Sequence, residues 1–165
     1  MLAGNSSATV VVAKKPLELV ITRTFDAPRH LVFEAWTKKE HLDRWSCPGG
    51  FRMERSHGDV RPGGAYGFAM IAPDGEKHKA TGVYREIVPD ELLVMTHGWL
   101  EDDGSRPWET VITVRFADEG GKTRMTFEQS VFRSVESRDG HEGGWSQCFD
   151  KLGELLAELK TKEKS

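Results

Sequence analysis

Apolar and polar positions alternate along this chain with two different periods, and the switches between them outline an architecture. Residues 17–25 put Leu17, Leu19 and Ile21 on one side and Glu18, Val20 and Thr22 on the other. A period of two predicts a strand. Pro28 stands where the first turn of a helix accepts proline, with Asp26 upstream as a candidate cap. Leu31, Val32, Ala35 and Trp36, then Leu42 and Trp45, recur at helical spacing. They predict two short helices, stopped by Cys47-Pro48-Gly49-Gly50.

Beyond that stop the period of two returns. A brief strand at 51–55 is followed by strands at 65–71, 77–88, 92–99, 108–116 and 123–131. Arg61-Pro62-Gly63-Gly64, Pro73-Asp74-Gly75, Pro89-Asp90, Asp102-Asp103-Gly104 and Glu119-Gly120-Gly121 separate them as turns. Such short connections predict an antiparallel meander, because parallel neighbours need a crossover of helix length. Within it, Tyr66, Phe68 and Met70 share a face, as do Trp108, Thr110, Ile112, Val114 and Phe116, and again Met125, Phe127 and Gln129.

The last element repeats apolar residues at i, i+3, i+4 and i+7: Trp145, Cys148, Phe149, Leu152, Leu155, Leu156 and Leu159. This predicts an amphipathic helix of about four turns. Its stripe needs a partner, and the aromatic face of the meander is the apolar surface left to supply one. The expected fold class is therefore α+β of the helix-grip kind. A curved antiparallel sheet of six to seven strands has two short helices after its first strand and a long C-terminal helix across it, with an internal cavity. One domain is expected over residues 17–160. Residues 1–16 are read as a flexible tail, with an added edge strand around Val10–Val12 as the lesser option, and residues 161–165 as a disordered end.

The cavity expectation follows from shape. A twisted sheet curls toward its covered face, and Gly82 within a strand permits bending. A helix lying across a curled sheet diverges from it at one end. The gap would be lined by Trp45, Tyr66, Phe68, Tyr84, Trp99, Phe127 and Trp145. The competing reading is that these aromatics fill the gap as ordinary core. The ligand-binding candidates are those seven together with His78, Gln129 and Phe149.

Composition narrows the classes of partner. The 165 residues carry 23 basic and 26 acidic side chains, a net charge of −3, which gives no reason to expect nucleic acid or an anionic membrane. No apolar run approaches the ~20 residues of a membrane span. Cys47 and Cys148 stand far apart with no CxxC pattern, so two reduced thiols in a cytoplasmic protein are expected, without a disulfide or zinc framework. The histidines His30, His41, His57, His78, His97 and His141 occur singly, so no metal and no cofactor are expected. No GxSxG elbow or phosphate-binding loop is present. The polar residues expected to face inward are His78, Thr96 or His97, Thr110 and Gln129. His78 and Tyr84 share strand parity if no bulge intervenes at Gly82, and a His and a Tyr in one pocket are the weak candidates for acid–base chemistry. Arg61 is assigned to bonding carbonyls within its turn rather than to gating a pocket.

Several stretches also resemble a known group. Phe25-Asp26-Ala27-Pro28 with Val32-Phe33-Glu34-Ala35-Trp36, Trp45 with Pro48-Gly49, residues 59–66 around Arg61-Pro62-Gly63-Gly64, residues 82–89, and Gly144-Trp145 with Leu152 resemble the START/birch-allergen (SRPBCC) superfamily. Within it they resemble the family related to the C-terminal domain of activators of the ninety-kilodalton heat-shock protein ATPase. The resemblance implies a β-α-α-β-β-β-β-β-β-α order and a cavity that in relatives takes lipids, polyketides or other apolar molecules. Three functions follow as expectations. The first is binding of a small hydrophobic ligand. The second is a chaperone-associated regulatory module, with a chaperone contact or a homodimer as its interactions. The third is a cofactor-free cyclase, dehydratase or hydrolase. Binding without catalysis is favoured.

Overall fold

A computed structural model describes residues 10–13 and 17–164. Its strands are β1 (Val10–Ala13), β2 (Glu18–Phe25), β3 (Arg52–Gly58), β4 (Ala65–Ile71), β5 (Lys77–Val88), β6 (Leu92–Trp99), β7 (Thr110–Glu119) and β8 (Lys122–Ser130). The helices are α1 (Arg29–Thr37), α2 (Lys39–Trp45) and α3 (Val135–Lys164). The sheet runs β1-β2-β8-β7-β6-β5-β4-β3 with every pairing antiparallel. The meander thus spans β3 to β8, and β2 closes against its last strand, with Leu19 opposite Gln129 and Ile21 opposite Phe127.

One face of the sheet is buried. Leu19, Ile21 and Phe25 of β2, Leu93 and Met95 of β6, Ile112, Val114 and Phe116 of β7, and Met125 and Phe127 of β8 form its core side. Trp36, Trp45, Phe149, Leu152 and Leu156 cover them from the helices. The alternation read from the sequence places these residues inward because successive strand side chains leave opposite faces. Polar ties fasten α3 along its length: Asp150 to Arg23, Glu158 to Arg44, Lys160 to Asp26, and Glu163 to His30.

The chain departs from the sequence expectations at defined points. Pro28 rather than Asp26 is the N-cap of α1, without a side-chain cap, and Asp26 accepts from Lys160 Nζ at 2.9 Å. Val10–Ala13 pairs with β2 as an edge strand within the expected tail, while residues 1–9 and 14–16 lie outside the described residues. The final helix begins ten residues before Trp145 and runs to Lys164, through most of the end expected to be disordered. Trp108 precedes β7, is 41% exposed, and donates its indole N–H to Val131 O instead of joining the inner face. Arg61 pairs with the Asp59 carboxylate and stays exposed, rather than bonding carbonyls of its turn. That turn does demand its glycines. Gly63 has φ +86°, and a Cβ on Gly64 would stand 1.8 Å from Asp59 O.

Candidate ligand cavity

Between the helices and strands β4–β6 the two layers stand apart, bridged at points such as Trp99 to His141. A lobe of about 110 Å³ lies under α2 and the end of α1, walled by Trp36, Leu42, Trp45, Met53, Tyr66, Tyr84, Met95 and Ile112. A second lobe of about 360 Å³ lies under the first half of α3, against Pro48, Met70, Trp99, His141 and Cys148. Ser46, Phe68, His97 and Trp145 line both, so they form the partition between the lobes.

The helix leaves room because of its own sequence. Ser137, Gly140, His141 and Gly144 face the second lobe at one-turn spacing. A Cβ on Gly140 would meet nothing within 4 Å, and one on Gly144 would only touch Pro48. Gly140 is itself exposed, so this is where the lobe opens. Helix forms here despite three glycines; the Ser134 Oγ accepts the Ser137 amide as its first-turn cap.

A chain of hydrogen bonds fixes the partition. Trp145 Nε1 donates to Gln129 Oε1, Gln129 Nε2 to Thr110 Oγ1, and Thr110 Oγ1 to the His97 carbonyl, at 2.9, 2.9 and 3.1 Å. It runs from α3 through β8 and β7 to β6, engaging the Gln129 amide at both its oxygen and its nitrogen and giving the Trp145 indole N–H an acceptor. On the far wall, Tyr66 donates to Thr96 O, and Thr96 Oγ1 accepts the Val83 amide. His141 is also fully engaged: Nε2 accepts from Trp99 Nε1 and Nδ1 donates to Ser137 O, which sets its tautomer.

Two polar side chains differ. His97 is 4% exposed and Tyr84 is 3% exposed, and both line the hollow. Among the described residues none hydrogen-bonds the His97 ring nitrogens or the Tyr84 hydroxyl. Burial, reinforced by His141 and Arg106, pushes the His97 imidazole down to about 3, so it is neutral at ordinary pH. Burial pushes the Tyr84 phenol up to about 12, and Tyr66 higher still. Cys148 is held as a thiol by burial, raised to about 12. The hollow is thus chiefly apolar and aromatic, with Lys39, paired to Asp43, among the lining of the first lobe and a few neutral groups that can give or take a hydrogen bond.

Of the residues named from the sequence, Trp45, Tyr66, Phe68, Tyr84, Trp99 and Trp145 line the hollow. Phe127, Gln129 and Phe149 lie behind Trp145, fully buried, with Phe127 and Phe149 packed on its ring. His78 lies outside both lobes, half-exposed between Phe51 and Trp99, with its ring 3.4 Å from Glu76. His57 and His97 both line the lobe that holds Tyr84; His97 is the buried one, sharing inward parity with Leu93, Met95 and Trp99, and the sequence left it level with Thr96. The sequence does not mark Gly140, His141 and Gly144 as lining residues, because nothing in a run of glycines signals a helix. Among the described residues, no cluster of three or more His, Cys, Asp or Glu is placed to hold a metal ion, and no helix is long and apolar enough to cross a membrane.

Comparison with solved structures returns the same architecture. A protein from Chromobacterium violaceum superposes with a TM-score of 0.78 at 27% identity, over 85% of this chain and 96% of its own. One from Arthrobacter aurescens gives 0.77 at 26% identity, over 90% and 93%. The AHSA1 protein from Silicibacter pomeroyi gives 0.79 at 23% identity, over 86% and 99%. No curated protein matches the chain. The sheet closed by β2, the paired short helices and the long final helix all fall within residues 26–157 or flank them, and over that span the sequence matches the model of one family. The chain belongs to the family described as Activator of Hsp90 ATPase homolog 1-like protein.

Proposed function

We propose that this protein binds a small, largely apolar molecule in the two-lobed hollow between its sheet and α3. The observation that carries this is the hollow itself: two adjoining lobes that meet at Phe68, His97 and Trp145, the second of them opening beside Gly140. Its second lobe has the volume of a small-molecule site, and its lining is the usual one of aromatic walls with few polar groups. Membership of a family whose fold encloses such hollows supports the same reading.

The test is titration with N-phenyl-1-naphthylamine, which fluoresces on entering an apolar site. Wild type is expected to give a saturable rise. Gly140→Leu and Gly144→Leu together fill the opening and are expected to weaken binding by about tenfold or more, a loss of about 1.4 kcal/mol. Replacing helical glycines should leave the melting temperature unchanged or higher. Absence of a saturable rise, or equal binding by the filled variant, overturns the proposal. A chaperone contact rests on the family description. It predicts co-purification of an ATPase chaperone that persists in the filled variant.

A further inference from the structure

We infer that the molecule held in this hollow is a flat hydroxyaromatic, neutral as bound, whose hydroxyl hydrogen-bonds to His97. The inference rests on the binding reading above and specifies the chemistry of the same site.

Apart from His97 and Tyr84, the buried polar side chains around the partition described above have their partners within the protein. Gln129, Thr110, Trp145 and Tyr66 are bonded as described, and His141 spends both ring nitrogens on Trp99 and Ser137. His97 does not, although it is more than nine-tenths buried and lines both lobes. Its ring is not sealed within the protein but borders the hollow, so a molecule there can supply the bond that the protein does not. A neutral imidazole has one donor and one acceptor nitrogen, and a hydroxyl can serve either because it both gives and takes a proton. Tyr84, on the strand beside β6 and opposite Met95, offers a second free hydroxyl on the same wall.

Shape and charge narrow the ligand further. Phe68 stands edge-on to Trp99 with centroids 5.8 Å apart, and Trp99 edge-on to His97 at 5.1 Å. Phe68, His97 and Trp99 give the second lobe an aromatic wall, against which a flat ring can pack edge-on or offset. An ionised group would meet no free countercharge at the partition, where His97 is held neutral. A free carboxylate or ammonium is therefore disfavoured, and a phenol or fused-ring phenol fits.

The experiment is competition of 2-naphthol and 2-methylnaphthalene, matched in shape, against bound N-phenyl-1-naphthylamine. Wild type is expected to bind the naphthol about five- to tenfold tighter, the size of one net hydrogen bond. His97→Phe should equalise the two by weakening the naphthol alone, and His97→Gln, which keeps a donor and an acceptor, should retain much of the preference. Tyr84→Phe reports the second hydroxyl and removes no more than part of it. Equal affinity in wild type, or an undiminished preference in His97→Phe, overturns the inference while dye binding leaves the cavity reading standing. Failure of the dye to bind removes both.

Discussion

His97 places an acid-sensitive group in the middle of the fold. Its ordinary pKa of 6.5 applies to the unfolded chain, whereas in the folded chain burial lowers it to about 3. Between those values the unfolded state holds more protons, so stability rises with pH and is lost as pH falls from about 6.5 toward 3. His141, lowered by burial as well, acts in the same direction. Urea unfolding at pH 7 and pH 5 is expected to show a larger loss for wild type than for His97→Gln, by at most about 1.4 kcal/mol per pH unit. Equal losses would refute this. Gly82 makes a different point. A Cβ there would lie 2.0 Å from Thr96 O and 2.4 Å from the Tyr66 ring, and a backbone oxygen in a paired strand has nowhere to go. Gly82→Ala is expected to cost about 2 kcal/mol or more in a denaturation experiment; an unchanged midpoint would contradict the contact. The sequence marked Gly82 as a place where the strand yields. The reason, a tyrosine ring from β4 lying across it to reach Thr96, joins residues far apart in the chain and leaves no local trace.

The strands were legible because half-buried strands must alternate, and the second half of α3 was legible because Trp145 to Leu159 repeats at helical spacing. Its first ten residues were not. They carry Gly140, Gly143 and Gly144 with no apolar stripe, since part of that turn of helix faces a hollow instead of a core. The two halves should therefore respond differently to mutation. Leu152 is wholly buried, and Leu152→Ala is expected to destabilise by about 2–5 kcal/mol. Glu158, on the same helix, pairs with Arg44 at 2.7 Å in the open, and Glu158→Ala is expected to leave the urea midpoint unchanged within error. Similar losses for both would mean that the exposed ties, rather than the apolar stripe, hold the helix down.

At the scale of the whole molecule, a ligand bound only by the folded state raises its stability by mass action. At a hundredfold excess over its dissociation constant the gain is about 2.7 kcal/mol. A thermal melt with 2-naphthol is expected to rise accordingly, and no shift at saturating concentration would mean that the hollow does not take it. The sequence offered a cavity, through the mismatch of a curled sheet and a straight helix, as one of two readings beside a core filled by its aromatics. It offered no division of that cavity, since Phe68, His97 and Trp145 come from three separated elements. Greasy chambers ordinarily shrink, because their walls gain contact by closing on one another. Here the run from Trp145 through Gln129 and Thr110 to the His97 carbonyl has a fixed length in each of its links. It ties roof to floor at a set separation, so any collapse of the chamber that moves Trp145 has first to break one of these bonds.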